Sequence, residues 1–152
     1  MDYEIVQLEE KKVAGLKIRT NNSDPNMSTA IGDAWKKFFE DGTYQSIPDK
    51  KNDKCIGLYT NYTSNVNGDY DVVVCCEIHN TSNSISLVHS EIIPAGKYAK
   101  FIIHGHVQKA VAEFWMKLWS MDLDRKFSGD FEEYQGCLEP DNVEVHIYIS
   151  LN

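Results

Sequence analysis

The segment Phe131-Glu132-Glu133-Tyr134 places two acidic residues side by side among residues that favour strands. Side chains alternate between the two faces of a strand, so Glu132 and Tyr134 share one face while Phe131 and Glu133 share the other. One of the two acids therefore points toward a covered side of the sheet. A carboxylate without a partner in apolar surroundings is costly, and its pKa rises. A cationic ligand would offset that cost, and nearby aromatic rings would add cation–π attraction.

Aromatic residues that could wall such a site are concentrated in the second half of the chain. Two tryptophans lie about one turn apart in a helical pattern, and flat rings beside a cleft suit planar hydrophobic ligands. The same spacing is what an ordinary core helix requires, so each ring also has a packing role open to it. The candidates are Tyr59, Trp115, Trp119, Tyr134 and Tyr148.

The sequence contains few residues arranged for metal binding, catalysis or phosphate binding. His104-x-His106 could place two imidazoles on one strand face, with His146 as a distant third ligand. A zinc site needs three or four well-spaced ligands, and no cysteine or carboxylate completes this set, so we predict no metal site. The sequence contains no nucleophile elbow, no other triad signature and no glycine-rich phosphate loop. We therefore predict no bound cofactor, and no motif identifies a catalytic residue.

Length and composition indicate one globular domain spanning residues 1–152. Hydrophobic residues make up 42% of the chain and charged residues 25%, which excludes a disordered chain. No apolar run is long enough to cross a membrane, and acids stand near the N-terminus where a signal peptide needs basic residues, so we expect a cytoplasmic protein. With 15 Lys and Arg against 23 Asp and Glu, the net charge is −8. That charge disfavours DNA binding and mildly favours a cationic partner, although solubility alone would also explain it.

Hydrophobic periodicity assigns the elements that would position these residues. Apolar residues at helical spacing predict two helices, Met27–Phe39 and Val107 to about Met121. An Asn-Gly pair at Asn67 predicts a hairpin between two strands. The predicted strands are Val13–Arg19, Cys55–Tyr59, Tyr70–Ile78, Leu87–Ile93, Lys97–Ile103, Phe131–Cys137 and Val143–Leu151.

The two halves of the chain, about 1–80 and 85–152, follow the same order of strand, helix, strand and strand. The first helix superposes without gaps on the second, which pairs Trp35 with Trp115. We therefore predict an α+β fold: a tandem strand–helix–strand–strand repeat with pseudo-twofold symmetry, an antiparallel sheet and two main helices. A cleft would lie where the halves meet, which is a favoured place for ligands.

Three segments of the sequence resemble a known family. They are Ile93–Ala99 (IPAGKYA), Phe131–Tyr134 (FEEY) and the closing strand Val145–Leu151 (VHIYISL). Together they are similar to the gyrase-inhibitor-like (GyrI-like) domain, the effector-binding half of AraC/Rob-type and MerR-type multidrug-sensing regulators. His146 and Ser150 depart from the family pattern, which often has proline at the latter position. The resemblance covers essentially the whole chain.

The resemblance implies a pocket for amphipathic, cationic small molecules between the two halves. The family's buried glutamate falls on Glu132, and the tyrosine of its closing strand falls on Tyr148. The first strand begins within about five residues of Met1, so we expect a stand-alone effector domain that does not itself bind DNA. Two alternatives remain: a hydrolase in which Glu132 and Tyr148 act on the ligand, and a gyrase-inhibitor-like module that binds a protein partner. Both a monomer and a homodimer fit the sequence.

Overall fold

In the part of the chain that the structure describes, the fold consists of one antiparallel sheet of eight strands and three helices. We describe it from a computed structural model, which covers residues 3–21, 25–47, 50–51, 54–63, 68–79, 89–135 and 143–152. The α+β class and the antiparallel sheet are thereby confirmed. The strands are β1 (Glu4–Leu8), β2 (Lys11–Thr20), β3 (Cys55–Thr60), β4 (Tyr70–Ile78), β5 (His89–Ile93), β6 (Gly96–Gly105), β7 (Asp130–Tyr134) and β8 (Val143–Ser150).

The helices are α1 (Met27–Glu40), α2 (Thr43–Ser46) and α3 (Val107–Trp119). Both long helices were predicted, whereas the single turn of α2 was not, because four residues are too few to show a periodic pattern. The second predicted helix, α3, ends at Trp119 rather than near Met121. The Ser120 amide donates to the Lys117 carbonyl, which makes a tighter last turn. The antiparallel pairing of β3 with β4 confirms the predicted hairpin. Parts of the predicted strands at 87–88 and 136–137, and Asn67 of the turn, lie outside the described residues.

Two very short links impose a strong curl on the sheet. The strand order is β1-β6-β8-β7-β3-β4-β2-β5, so β1 and β2 stand six strand spacings apart, as do β5 and β6. In a flat sheet six spacings amount to roughly 29 Å. Each pair is nevertheless joined by only two residues, Glu9-Glu10 and Pro94-Ala95, and three steps of chain reach at most about 11 Å. The two ends of the sheet must therefore approach each other, and the sheet curls into a half-barrel.

The two links lie side by side in what we call the crossing ribbon, Glu4–Gly15 paired with His89–Lys100. Leu8 pairs with Gly96 on one side of the links, and Lys11 pairs with Ile93 on the other. Residue numbers add to 104 in both pairs, so a single antiparallel register continues through the crossing. The ribbon thus connects the β6 side of the sheet to the β2 side.

The sheet buries apolar side chains on both faces. Inside the curl, one cluster joins residues from opposite ends of the strand order, among them Val13, Ile93 and Tyr98. On the outer face, α1 covers β2 and β4 with Ala34 and Phe38, while α3 covers β6 and β8 with Phe114 and Leu118. Among the residues that the structure describes, no helix is both long and apolar enough to cross a bilayer.

Gly15 offers a test of the crossing ribbon, because it is paired on both sides, with Cys75 and with His89. A Cβ atom at Gly15 would stand 1.9 Å from the Val74 carbonyl oxygen and 2.6 Å from the Cys75 Cα. Backbone cannot move aside cheaply, so we expect Gly15→Ala to lower the free energy of unfolding by more than about 2 kcal/mol. Urea unfolding followed by circular dichroism measures the change.

Gly32→Ala is the matched control. Gly32 lies within α1 and has open space around it, so alanine should raise the free energy of unfolding by about 0.5–1 kcal/mol. Equal stability of the two variants would contradict the close approach of β2 to β4.

Candidate functional site

The middle of the sheet carries a polar and aromatic surface between the two long helices. There β3 pairs with β7, placing Gly57 opposite Glu132 and Cys55 opposite Tyr134. Alternation along each strand brings Tyr59 and Glu132 to the same outer face. Because α1 packs on β2 and β4 and α3 packs on β6, the β3–β7 pair lies between them. We call this surface the β3–β7 floor; its members are Gly57, Tyr59, Glu132 and Tyr134.

Glu132 lies at the centre of the floor and is only 2% exposed. From the described residues its carboxylate accepts three hydrogen bonds, each from an uncharged donor. The Trp115 indole Nε1 donates to Oε2 at 2.6 Å, and the Tyr59 hydroxyl donates to the same oxygen at 3.1 Å. The Tyr134 hydroxyl donates to Oε1 at 2.7 Å. Three of the predicted aromatic residues are therefore brought together around the predicted glutamate.

Gly57 and Trp35 complete this arrangement, and neither was predicted as a site residue. A Cβ atom at Gly57 would stand 3.1 Å from Glu132 Oε1 and 3.3 Å from Trp35 Cζ2, so the absence of a side chain makes room for both. The Trp35 ring meets Tyr134 edge-on at 5.3 Å between centroids. The sequence did contain a signal for Trp35, because the repeat pairs it with Trp115. Each long helix thus contributes one tryptophan to the site.

Two opposing effects act on the Glu132 carboxyl. Burial raises its pKa, while the hydrogen bonds from Trp115, Tyr134 and Tyr59 lower it, and the net direction is upward. Burial and the neighbouring Glu132 carboxylate raise the pKa of both tyrosine hydroxyls well above the usual range. The tyrosines therefore act as neutral donors, and the negative charge of the site belongs to Glu132.

Asp130 lies two residues earlier on the same strand face and is also a buried carboxylate, but its charge is stabilised differently. It is fully buried, and its Oδ2 forms an ion pair of 2.8 Å with Arg125. Ser150 and Tyr62 donate the remaining hydrogen bonds. Within the described part of the chain, no ion pair involves Glu132. Among the described residues, the groups that stabilise the buried Glu132 charge are therefore all neutral.

The structure does not bring Tyr148 or Trp119 to Glu132. Tyr148 pairs with Phe131, which places it on the inner face of the sheet, and the two rings stack at 4.6 Å. The Glu132–Tyr148 pair that the hydrolase alternative requires is thus separated by the sheet. Trp119 follows Trp115 by one helical turn but is 51% exposed at the end of α3.

The predicted histidines lie elsewhere. His104 and His146 stand on neighbouring strands within 3.1 Å and 2.6 Å of the two Glu144 oxygens, and these contacts lower the pKa of Glu144. His106 does not share the strand face with His104, because β6 ends at Gly105. No group of three or more His, Cys, Asp or Glu in the described ranges is placed to hold a metal ion. That this protein needs neither a metal nor a cofactor stays a prediction.

Fold and site together define the class of small effector-binding domains that are related to the ligand-binding modules of transcription regulators. The chain belongs to the Cass2 family of integron-associated effector-binding proteins, which matches residues 4–151. The GyrI-like resemblance of the sequence is thereby confirmed.

Known relatives agree with this assignment over nearly their whole length. YobU of Bacillus subtilis (strain 168), named as a candidate transcriptional regulator, is 30% identical over 97% of this chain and 96% of its own. The integron cassette protein VCH_CASS2 of Vibrio cholerae is 28% identical, with a TM-score of 0.76 over 97% of this chain and 95% of that one. SAV2435, solved in complex with tetraphenylphosphonium, shares the fold at a TM-score of 0.81 and 20% identity, over 100% of this chain and 94% of that one.

The raised pKa of Glu132 predicts how stability depends on pH. The folded chain holds a proton on Glu132 at pH values where the unfolded chain has lost it, so the free energy of unfolding falls as pH rises through this window. Glu132→Gln removes that contribution. We therefore expect the stability of the wild type relative to Glu132→Gln to decrease as pH rises above ~4.3, the ordinary pKa of glutamate, as measured by urea unfolding.

Glu133→Gln is the control for this measurement. It removes one carboxylate from the same strand but keeps Glu132, so the wild-type trend should persist. If the difference in the free energy of unfolding between wild type and Glu132→Gln stayed constant across the pH range, folding would not raise the pKa of Glu132.

Proposed function

We propose that this protein binds amphipathic organic cations over the β3–β7 floor, with Glu132 as the counter-charge. The rings of Tyr59, Trp115 and Tyr134 would form the apolar contacts, and Trp35 would border them on the α1 side. One observation carries the proposal: the Glu132 carboxylate is buried among aromatic rings, and within the described part of the chain no cation is paired with it.

Electrostatics explain why such an arrangement favours cations. A buried carboxylate loses most of its hydration, and hydrogen bonds from neutral groups restore only part of it. A cation nearby supplies the missing stabilisation, whereas an anion increases the cost. The four aromatic residues are half-buried whereas Glu132 is 2% exposed, so the aromatic side chains rather than the carboxylate meet the solvent. A cation on their faces gains cation–π attraction of about 0.5–2 kcal/mol in addition.

Asp130, the other buried acid on this face of β7, is a useful comparison for Glu132. Asp130 has the same strand face, comparable burial and a tyrosine donor of its own, but it also has Arg125. Its charge is therefore compensated inside the chain, and it contributes little attraction to a ligand. Among the described residues no cation pairs with Glu132 in this way, and an uncompensated acid is what a receptor for cations needs.

Similarity to SAV2435 supports the same conclusion. That protein is bound to tetraphenylphosphonium, a cation whose charge is enclosed by four phenyl rings. A ligand of this kind matches a floor made of rings around one carboxylate.

We also infer that the two halves are a tandem repeat, and the strand order supports this. Each half has two strands before its long helix and two after it, so the predicted unit of strand, helix, strand and strand was one strand short. Exchanging β1–β4 with β5–β8 reverses the order but leaves every strand with equivalent neighbours. Under that exchange β3 and β7 change places, so the floor would lie on the pseudo-twofold axis with one tryptophan from each half. Superposition of the two halves in a crystal structure should align α1 with α3, and a failure to align would exclude the repeat.

Replacing the carboxylate by an amide tests the counter-charge. Opposite unit charges roughly 6–10 Å apart attract by about 1.5–3 kcal/mol at an effective dielectric constant of about 20, so Glu132→Gln should weaken the binding of methyltriphenylphosphonium by roughly 10- to 150-fold. Triphenylphosphine oxide, a neutral molecule with the same three rings, should lose much less. Isothermal titration calorimetry of both probes against both proteins gives the four dissociation constants.

Glu133→Gln is the matched control, because it causes the same change in net charge from the adjacent residue on the opposite face. It should leave both dissociation constants nearly unchanged. If the two probes weakened equally in Glu132→Gln, or if Glu133→Gln had the larger effect on the cation, Glu132 would not be the counter-charge.

A further inference from the structure

Two tryptophan–tyrosine ring contacts flank Glu132, one on each side. The Trp115 and Tyr59 rings lie 5.2 Å apart between centroids, and the Trp35 and Tyr134 rings lie 5.3 Å apart. Aromatic rings at these distances are in direct contact. Indole and phenol side chains both lose one electron to strong oxidants, and rings in contact exchange such an electron readily. The site therefore contains two indole–phenol pairs between which an oxidation can move.

Both phenols of these pairs are hydrogen-bonded to the same base. The Tyr59 hydroxyl donates to Glu132 Oε2 at 3.1 Å, and the Tyr134 hydroxyl donates to Oε1 at 2.7 Å. Burial raises the pKa of both hydroxyls, so each phenol keeps its proton at neutral pH. A phenol that loses an electron becomes a strong acid and must lose this proton too. A carboxylate already in hydrogen-bond contact is placed to accept the proton as the electron leaves.

We propose that this site moves a one-electron oxidation from tryptophan to tyrosine, with Glu132 as the base. A one-electron oxidant, such as a diffusible oxidising radical, first takes an electron from Trp115 or Trp35. The contacting tyrosine then gives an electron to the indole radical cation, and the phenol proton passes to the Glu132 carboxylate. If Trp115 has meanwhile released its indole proton to Oε2 along the 2.6 Å hydrogen bond, it regains that proton in the same step.

The products of this transfer balance in charge and atoms. The tryptophan is restored, the tyrosine becomes a neutral phenoxyl radical, and Glu132 holds one proton. A soluble reductant such as ascorbate then supplies an electron to the phenoxyl radical while Glu132 returns the proton. Each cycle consumes one oxidising and one reducing equivalent and leaves both rings intact. This activity needs no bound ligand, so it goes beyond the proposed function and does not depend on it.

Pulse radiolysis in azide solution tests the transfer, because the azidyl radical oxidises tryptophan in preference to tyrosine. A Trp119→Phe parent protein removes the exposed tryptophan at the end of α3, so the radical starts on Trp35 or Trp115. At ~pH 8, above the ordinary pKa of glutamate, we expect the indolyl absorption to decay as the phenoxyl absorption grows. The rate constant should not depend on protein concentration. Decay of the indolyl radical without growth of the phenoxyl radical would overturn the proposal.

Three variants of the parent protein identify the groups that carry the transfer. Tyr59→Phe combined with Tyr134→Phe keeps both rings but removes the oxidisable hydroxyls, so the concerted decay and growth should disappear. A positioned base contributes roughly 100-fold or more to a proton transfer, so Glu132→Gln should slow the transfer by about that factor. Tyr148→Phe is the matched control, because it makes the same change on the inner face of the sheet and should leave the rate unchanged.

Each group is tested separately by these rates. Transfer that persists in the double tyrosine variant would overturn the role of Tyr59 and Tyr134, and a rate that Glu132→Gln leaves unchanged would overturn the role of the carboxylate. If the double variant does not fold, heavy water gives the second measurement on the parent protein. The transfer should be slower there, because the proton moves with the electron, and an equal rate in both solvents would contradict the proposed step.

Discussion

The shape of this protein depends on two links of two residues each. Glu9-Glu10 and Pro94-Ala95 join strands that would be far apart in a flat sheet, and the crossing ribbon keeps one register through both links. Proline is tolerated at this crossing because no ladder hydrogen bond is needed from its nitrogen. Gly96 follows at φ +153°, where a side chain would be strained. The residues of the IPAG segment are therefore suited to one of the two short links on which the curl depends.

The curl in turn determines where a site can form. The ribbon joins the two ends of the strand order, and the β3–β7 pair lies farthest from it, midway along that order. Each long helix covers the strands that flank this pair, which leaves the pair itself between them. Residues on its outer face can then be reached by a tryptophan from either side. Gly57 supplies the space, and Glu132 opposite it takes the hydrogen bonds.

The sequence predicted what depends on local pattern and missed what depends on register. Strand alternation was enough to place Glu132 and Tyr134 on one face, and helical spacing was enough to find α1 and α3. Tyr148 could not be placed, because its face follows from its pairing with Phe131, and a shift of one residue would reverse it. The rotation of α3 about its axis similarly decides that Trp115 reaches the carboxylate while Trp119 remains exposed. No pattern in the sequence indicated that Gly57 belongs to the site. Its lack of a side chain leaves room for Glu132, and only the pairing of β3 with β7 shows that the two residues are opposite each other.

Strand β7 presents two buried acids on one face, Asp130 and Glu132, and the two differ in how their charge is stabilised. Arg125 compensates Asp130 within the chain, so that acid fixes the segment leading from α3 into β7. The donors around Glu132 are neutral; they make burial of the charge tolerable without cancelling it. An arginine paired with Glu132 would neutralise its charge and would remove the attraction that we propose for a cationic ligand. Among the described residues no cation gives Glu132 the interaction that Arg125 gives to Asp130, and this difference is the reason for proposing Glu132 as the counter-charge of a ligand.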